Sequence, residues 1–67
     1  MITKDIQVGG TLYFKRIKDV KKKFHNKKFT VKTVDEKNFQ FKGIDEAGIE
    51  FNFFPTMVRK PFKKELT

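Results

Sequence analysis

The chain contains no cysteine, no tryptophan and no serine, and its 67 residues include a single histidine, His25. Without cysteine there are no disulfides and no thiolate metal sites, so the fold has to be held by packing alone. One histidine with neither serine nor cysteine to activate leaves no nucleophile and base pair, and no two-histidine metal site. No catalytic residues, no metal and no cofactor are therefore expected, and His25 reads as a loop residue, with a phosphate-binding patch as its functional alternative. No apolar run approaches the ~18–20 residues that cross a bilayer, and Met1-Ile2-Thr3-Lys4-Asp5 lacks the apolar centre of a signal peptide. A cytoplasmic protein that does not engage membranes is the expectation. Internal repeats, low-complexity tracts and linkers are missing as well, so residues 1–67 are expected to form one domain.

Acids are scarce where bases gather. From Lys15 to Lys32 the chain holds Lys15, Arg16, Lys18, Lys21, Lys22, Lys23, Lys27, Lys28 and Lys32 against one acid, Asp19, a formal +8 that equals the net charge of the whole protein. Elsewhere acids and bases balance. A charge this localised sets up a directed positive field, and such fields attract polyanions. Lysines outnumber arginines 14 to 2. Lysine meets phosphate as a flexible point charge, whereas arginine reads guanine edges through a rigid fork, so a nucleic-acid partner would be held mainly by its backbone with little sequence preference. Tyr13 and Phe24 are the aromatics near these cations that would stack on bases, although Phe24 is equally suited to folding down over one end of the core. The same basic face would serve a protein-interaction or inhibitor module aimed at an acidic partner, and a structural or subunit role is a third reading. Gly9-Gly10 lacks the Lys-Ser/Thr signature of a phosphate-binding loop.

Aromatics are abundant, with nine phenylalanines and Tyr13. Burying one phenylalanine contributes roughly 1.5–3 kcal/mol, so most are expected inside. Period-two alternation places Leu12/Phe14, Phe29/Val31, Phe39/Phe41 and Phe51/Phe53 on the core side of strands spanning residues 11–17, 29–34, 39–44 and 49–54. Gly9-Gly10 suits a turn ahead of the first strand. The stretch from Lys18 to Lys28 loses the alternation and is too crowded with like charge for a lone helix, so it reads as a long loop. Asp35-Glu36-Lys37-Asn38 and Asp45-Glu46-Ala47-Gly48 are hairpin turns, their acids acting as turn formers and Gly48 taking positive φ. Gly43 suggests a bulge that brings Ile44 back inside. Phe54 breaks the alternation before Pro55, which ends the strand; Pro55 to Val58 fits one 3₁₀ turn, residues 59–62 a last edge strand, and residues 63–67 a fraying tail.

The order of a leading Gly-Gly, a strand, a long loop, two tight hairpins, then Phe53-Phe54-Pro55-Thr56-Met57-Val58 and a short closing strand resembles the SH3-like barrel family, including its Tudor-like and KOW-like members. The resemblance covers residues 6 to 62 and is one of layout. It implies an all-β, five-stranded SH3-like barrel with a long basic loop between strands 1 and 2 and a 3₁₀ turn before the last strand. The absent tryptophan and the basic first loop argue against a proline-rich ligand, and Tyr13 alone does not make a methyl-lysine cage.

Overall fold

Alternation becomes backbone pairing along most of the chain. The computed structural model describes residues 3–66. Its strands are β1 (Thr11–Phe14), β2 (Lys28–Asp35), β3 (Gln40–Ile44), β4 (Glu50–Asn52) and β5 (Val58–Arg59), joined into one antiparallel sheet in the order β4-β3-β2-β1-β5. The only helices among the described residues are single 3₁₀ turns at Thr3–Asp5, Lys22–Phe24, Pro55–Met57 and Lys63–Glu65. The expected fold class is thus met at the level of an all-β, five-stranded antiparallel sheet with a 3₁₀ turn ahead of the last strand. No helix among the described residues is long and apolar enough to cross a membrane.

The buried face collects Leu12 and Phe14 from β1, Phe29 and Val31 from β2, Phe41 from β3 and Val58 from β5, together with Phe53 just after β4, Val20 from the β1–β2 connection and Ile6 from the leading segment. Phe14, Phe29 and Phe53 form a chain of rings with neighbouring centroids 5.0 Å apart, and Phe41 continues it from Phe53 at 5.9 Å. Phe51 is half-buried against this cluster.

Several expectations need correction. Phe39 is not in β3: it sits in the preceding turn at φ 51° and is largely exposed, as are Phe54 and Phe62. The phenylalanines therefore divide between core and surface. β1 ends at Phe14 instead of Ile17, and β5 is Val58–Arg59, one residue earlier and two shorter than expected. The tail is folded rather than extended and unbonded. Lys63–Glu65 forms a 3₁₀ turn, and Glu65 receives both Arg59 guanidinium nitrogens, at 2.7 and 3.1 Å, and the Phe62 amide. Thr67 lies outside the described residues.

The register shift lies on β2. Val31 faces Gly43 and Thr33 faces Lys42, which makes Lys32 the extra residue of the bulge. Gly43 has a different reason to be glycine. It continues the inward alternation of Phe41, and a Cβ there would lie 2.5 Å from Phe29 Cδ2 and 2.9 Å from Phe51 Cε2. The two rings occupy the volume that a side chain would need, so Ile44 stays on the other face, half-buried. Gly43→Ala should therefore destabilise by about 1–3 kcal/mol, the cost of overpacking a filled core. Thermal melts would check this, and a midpoint within about 2 °C of the parent's would show that the rings move aside freely.

Candidate nucleic-acid interface

The basic connection between β1 and β2 is built on apolar anchors hidden among its lysines. Val20 is 3 % exposed, Ile17 and Phe24 are half-buried against the same cluster, and the charged residues between them turn outward. The backbone closes on itself through Val20 N to Ile17 O at 3.1 Å, Phe24 N to Lys21 O at 2.8 Å and Lys27 N to Phe24 O at 3.0 Å. It closes on the sheet through Phe14 N to Lys27 O and Asn26 N to Phe14 O, both 3.0 Å. Asn26 turns the chain at φ 59°, a conformation asparagine tolerates better than most residues. The segment is a scaffolded excursion carrying one 3₁₀ turn, Lys22–Phe24, rather than an unstructured loop.

His25 fastens this scaffold. Its Nε2 lies 2.8 Å from the Val20 carbonyl oxygen and 3.1 Å from that of Ile17. Both partners are acceptors, so Nε2 carries the hydrogen and donates. The imidazole thus ties the two ends of the Ile17 to Val20 turn. It also lines a surface depression of about 590 Å³ with Arg16, Lys18 and Lys22 around it.

The residues singled out from the sequence separate into groups. Arg16, Lys18, Lys21, Lys22, Lys23 and Lys28 are exposed and form no ion pair among the described residues, while Lys15 is half-buried where β1 ends. Lys27 is tied to Asp45 at 3.4 Å and Lys32 to Glu50 at 2.7 Å, which removes part of their charge from the outward field. Phe24 folds down: its ring centroid is 5.4 Å from that of Phe14 and 6.4 Å from that of Phe51, with Lys23 Nζ and Lys27 Nζ 5.1 and 5.6 Å from it. Tyr13 lies on the outer side of β1 beneath the Arg59 guanidinium, 4.9 Å from the ring centroid. Arg59 received no role from the sequence. Held by Glu65 and stacked on Phe62 at 3.7 Å, it joins Tyr13 to the C-terminal segment.

The acids serve the turns and these ion pairs. Asp35 is held below the ordinary carboxylate range by the Asn38 side-chain amide and then by its backbone N–H. Asp45 is lowered first by the Ile49 amide, Glu50 by Lys32, and Glu65 by Arg59. Each folded-state value lies below the unfolded one, so the unfolded chain takes up protons first as pH falls. The stability these groups supply is then complete above about pH 5 and is lost as pH drops through their folded values. Melting midpoints should be level between about pH 5 and 7 and fall steadily below about pH 4; a midpoint indifferent to acid would show that these carboxylates are not bonded in the folded state.

The chain has no significant match to any protein-family model, curated protein or solved structure, so no family is assigned to it.

Proposed function

We propose that this protein is a small cytoplasmic nucleic-acid-binding domain that grips the phosphate backbone with little sequence preference. The observation behind this reading is the set of exposed cations Arg16, Lys18, Lys21, Lys22, Lys23 and Lys28 on one connection, without an ion pair among the described residues, in a stretch whose only acid is Asp19. Cations held on a bonded scaffold lose less conformational freedom on binding than cations on a free loop, which favours association. Lysine in place of arginine suits phosphate contact without base reading. The finer reading of the fold, an SH3-like barrel, belongs to the same proposal. Strand order β4-β3-β2-β1-β5, the long β1–β2 connection and the 3₁₀ turn at Pro55–Met57 support it.

The test is a titration of a labelled duplex of about 20 base pairs between roughly 50 and 200 mM salt. With about four to six phosphates neutralised, the logarithm of the affinity should fall with log salt at a slope of about −4 to −5, similarly for unrelated sequences. No binding at low salt would overturn the proposal.

A further inference from the structure

At the opposite end of β2 and β3 from the basic connection, the surface opens into a groove of about 640 Å³ whose walls include Phe39, Phe54, Asn38, Gln40, Asn52 and Lys42. We infer that this groove takes the unpaired bases of single-stranded nucleic acid, an inference that rests on the nucleic-acid reading above and names the form of the ligand.

The two rings are placed, not left over. Phe39 and Phe54 are 52 % and 57 % exposed, and they lie nearly parallel, with centroids 6.2 Å apart at 23°. Phe39 adopts φ 51°, where a bulky side chain is strained and where the preceding Asn38 would sit at lower cost. The turn that enforces it is tightly bonded. Asp35 accepts from the Asn38 backbone and side chain at 3.1 and 2.8 Å, and the Phe39 amide reaches Glu36 O at 3.2 Å. Phe39 packs against buried Phe41 with ring centroids 5.1 Å apart and the rings at 88°. Phe54 is fixed from the other side, since the following Pro55 confines it to extended backbone, observed at φ −108° and ψ 147°. Two apolar rings thus face water on backbone held by turn hydrogen bonds at Phe39 and by the following proline at Phe54.

The chemistry around them fits a base. A base is a flat π-face bordered by donors and acceptors, and the groove pairs aromatic faces with the carboxamides of Gln40 and Asn52, each of which both donates and accepts, and with that of Asn38, whose nitrogen already donates to Asp35. Among the described residues its one charged wall residue is Lys42, which favours a polyanionic strand, while Asp35 lies behind the wall, occupied by its bonds to Asn38. In a duplex the base faces are already stacked on one another. The groove therefore selects single strands, while the basic connection accepts both forms.

Anisotropy titrations with a labelled single strand of about 16 nucleotides and a duplex of equal length test this, using the full chain, Phe39→Ala, Phe54→Ala and the Lys21→Gln/Lys22→Gln/Lys23→Gln variant. Loss of a stacked base corresponds to roughly a 10-fold or greater fall in affinity. Each alanine variant should lose that much for the single strand, keep the parent's salt slope, and bind duplex as the parent does. The lysine variant should weaken on both. Phe39→Leu and Phe54→Leu retain apolar bulk and guard against a folding defect; they should lose single-strand affinity as the alanine variants do. If the phenylalanine variants bind single strand like the parent while the lysine variant does not, this inference falls and the proposed function stands. If the parent binds neither nucleic acid, both fall. Leucine variants that bind as the parent does would show an apolar contact without stacking. A parent dimer in sedimentation that Phe54→Ala dissociates without changing single-strand affinity would make the groove a contact between copies of this chain. Either result overturns the inference.

Discussion

Replacing Phe41 by alanine should lower the melting midpoint by at least about 12 °C, and much of the population should be unfolded at 37 °C. Phe41 is 1 % exposed, packed against Phe53 within the core and in perpendicular contact with the Phe39 ring. Removing a buried phenylalanine side chain costs about 3–5 kcal/mol, the lost transfer free energy plus the cavity left behind. A domain of this size has a total stability of roughly 3–10 kcal/mol. One kilocalorie moves the midpoint of so small a domain by about 4–8 °C, which sets the expected shift. No disulfide or buried ion pair stands behind the core, since cysteine is absent and no buried polar or charged residue occurs among the described residues.

The contrast within one residue type makes this a test of burial rather than of chemistry. Phe54→Ala removes the same atoms from a ring that is mostly in water, and it should stay within about 0.5 kcal/mol of the parent. Phe51→Ala should fall between the two, since Phe51 is half-buried while still touching Phe14, Phe24 and Phe29. A Phe41→Ala protein that melts cooperatively within a few degrees of the parent would mean that the inward face of β3 has been misassigned.

The sheet was legible where alternation runs unbroken, because a period of two leaves only one way to bury Leu12 with Phe14 or Phe29 with Val31. It was less legible where tertiary contacts decide. Val20 lies in a run of lysines that reads as solvated, yet it is buried in a turn whose Ile17 and Val20 carbonyls His25 reaches back to, a contact without local pattern. Phe39 fits the alternation of β3 on paper. The Asp35 to Asn38 turn places it at positive φ, and its ring goes to the surface. Gly43 invited a bulge assignment because glycine has no face; the actual reason, the Phe29 and Phe51 rings, comes from other strands. Phe54 was different. Its departure from alternation beside Pro55 was visible, and that departure is the sequence signal that a ring there had left the core.

The concentration of charge was legible in full, and its distribution was not. Counting alone gave Lys15 to Lys32 a uniform character. The fold divides it, because β2 and the two hairpins bring Asp45 to Lys27 and Glu50 to Lys32. Asp45, which looks like an ordinary turn former in the sequence, and Glu50 on β4 thus neutralise Lys27 and Lys32 and leave Lys28 and the stretch from Arg16 to Lys23 as the concentrated positive face.

Converting Lys21, Lys22 and Lys23 together to glutamine should therefore flatten the salt dependence of duplex binding by close to three units and leave the fold intact. Each side chain is exposed and free of any ion pair among the described residues, so each can neutralise a phosphate and release about 0.9 of a counterion. A parent slope of about −4 to −5 would become roughly −1 to −2. Structure should survive because the anchors of the connection are Val20, Phe24 and the His25 bonds, and removing like charges relieves repulsion within the triplet. Lys23 Nζ also rests on the Phe24 ring, a surface contact worth about 0.5–1 kcal/mol, so a slightly lower midpoint is consistent with this account. A Lys27→Gln/Lys32→Gln variant supplies the contrast. These amines already face Asp45 and Glu50, so the same kind of change should alter the slope far less than the triplet does. If the triplet variant binds duplex as the parent does, with an unchanged slope, the cations of this connection are not the phosphate contacts. The basic face would then be better matched to an acidic protein, whose binding weakens with salt without the steep counterion slope of a polynucleotide.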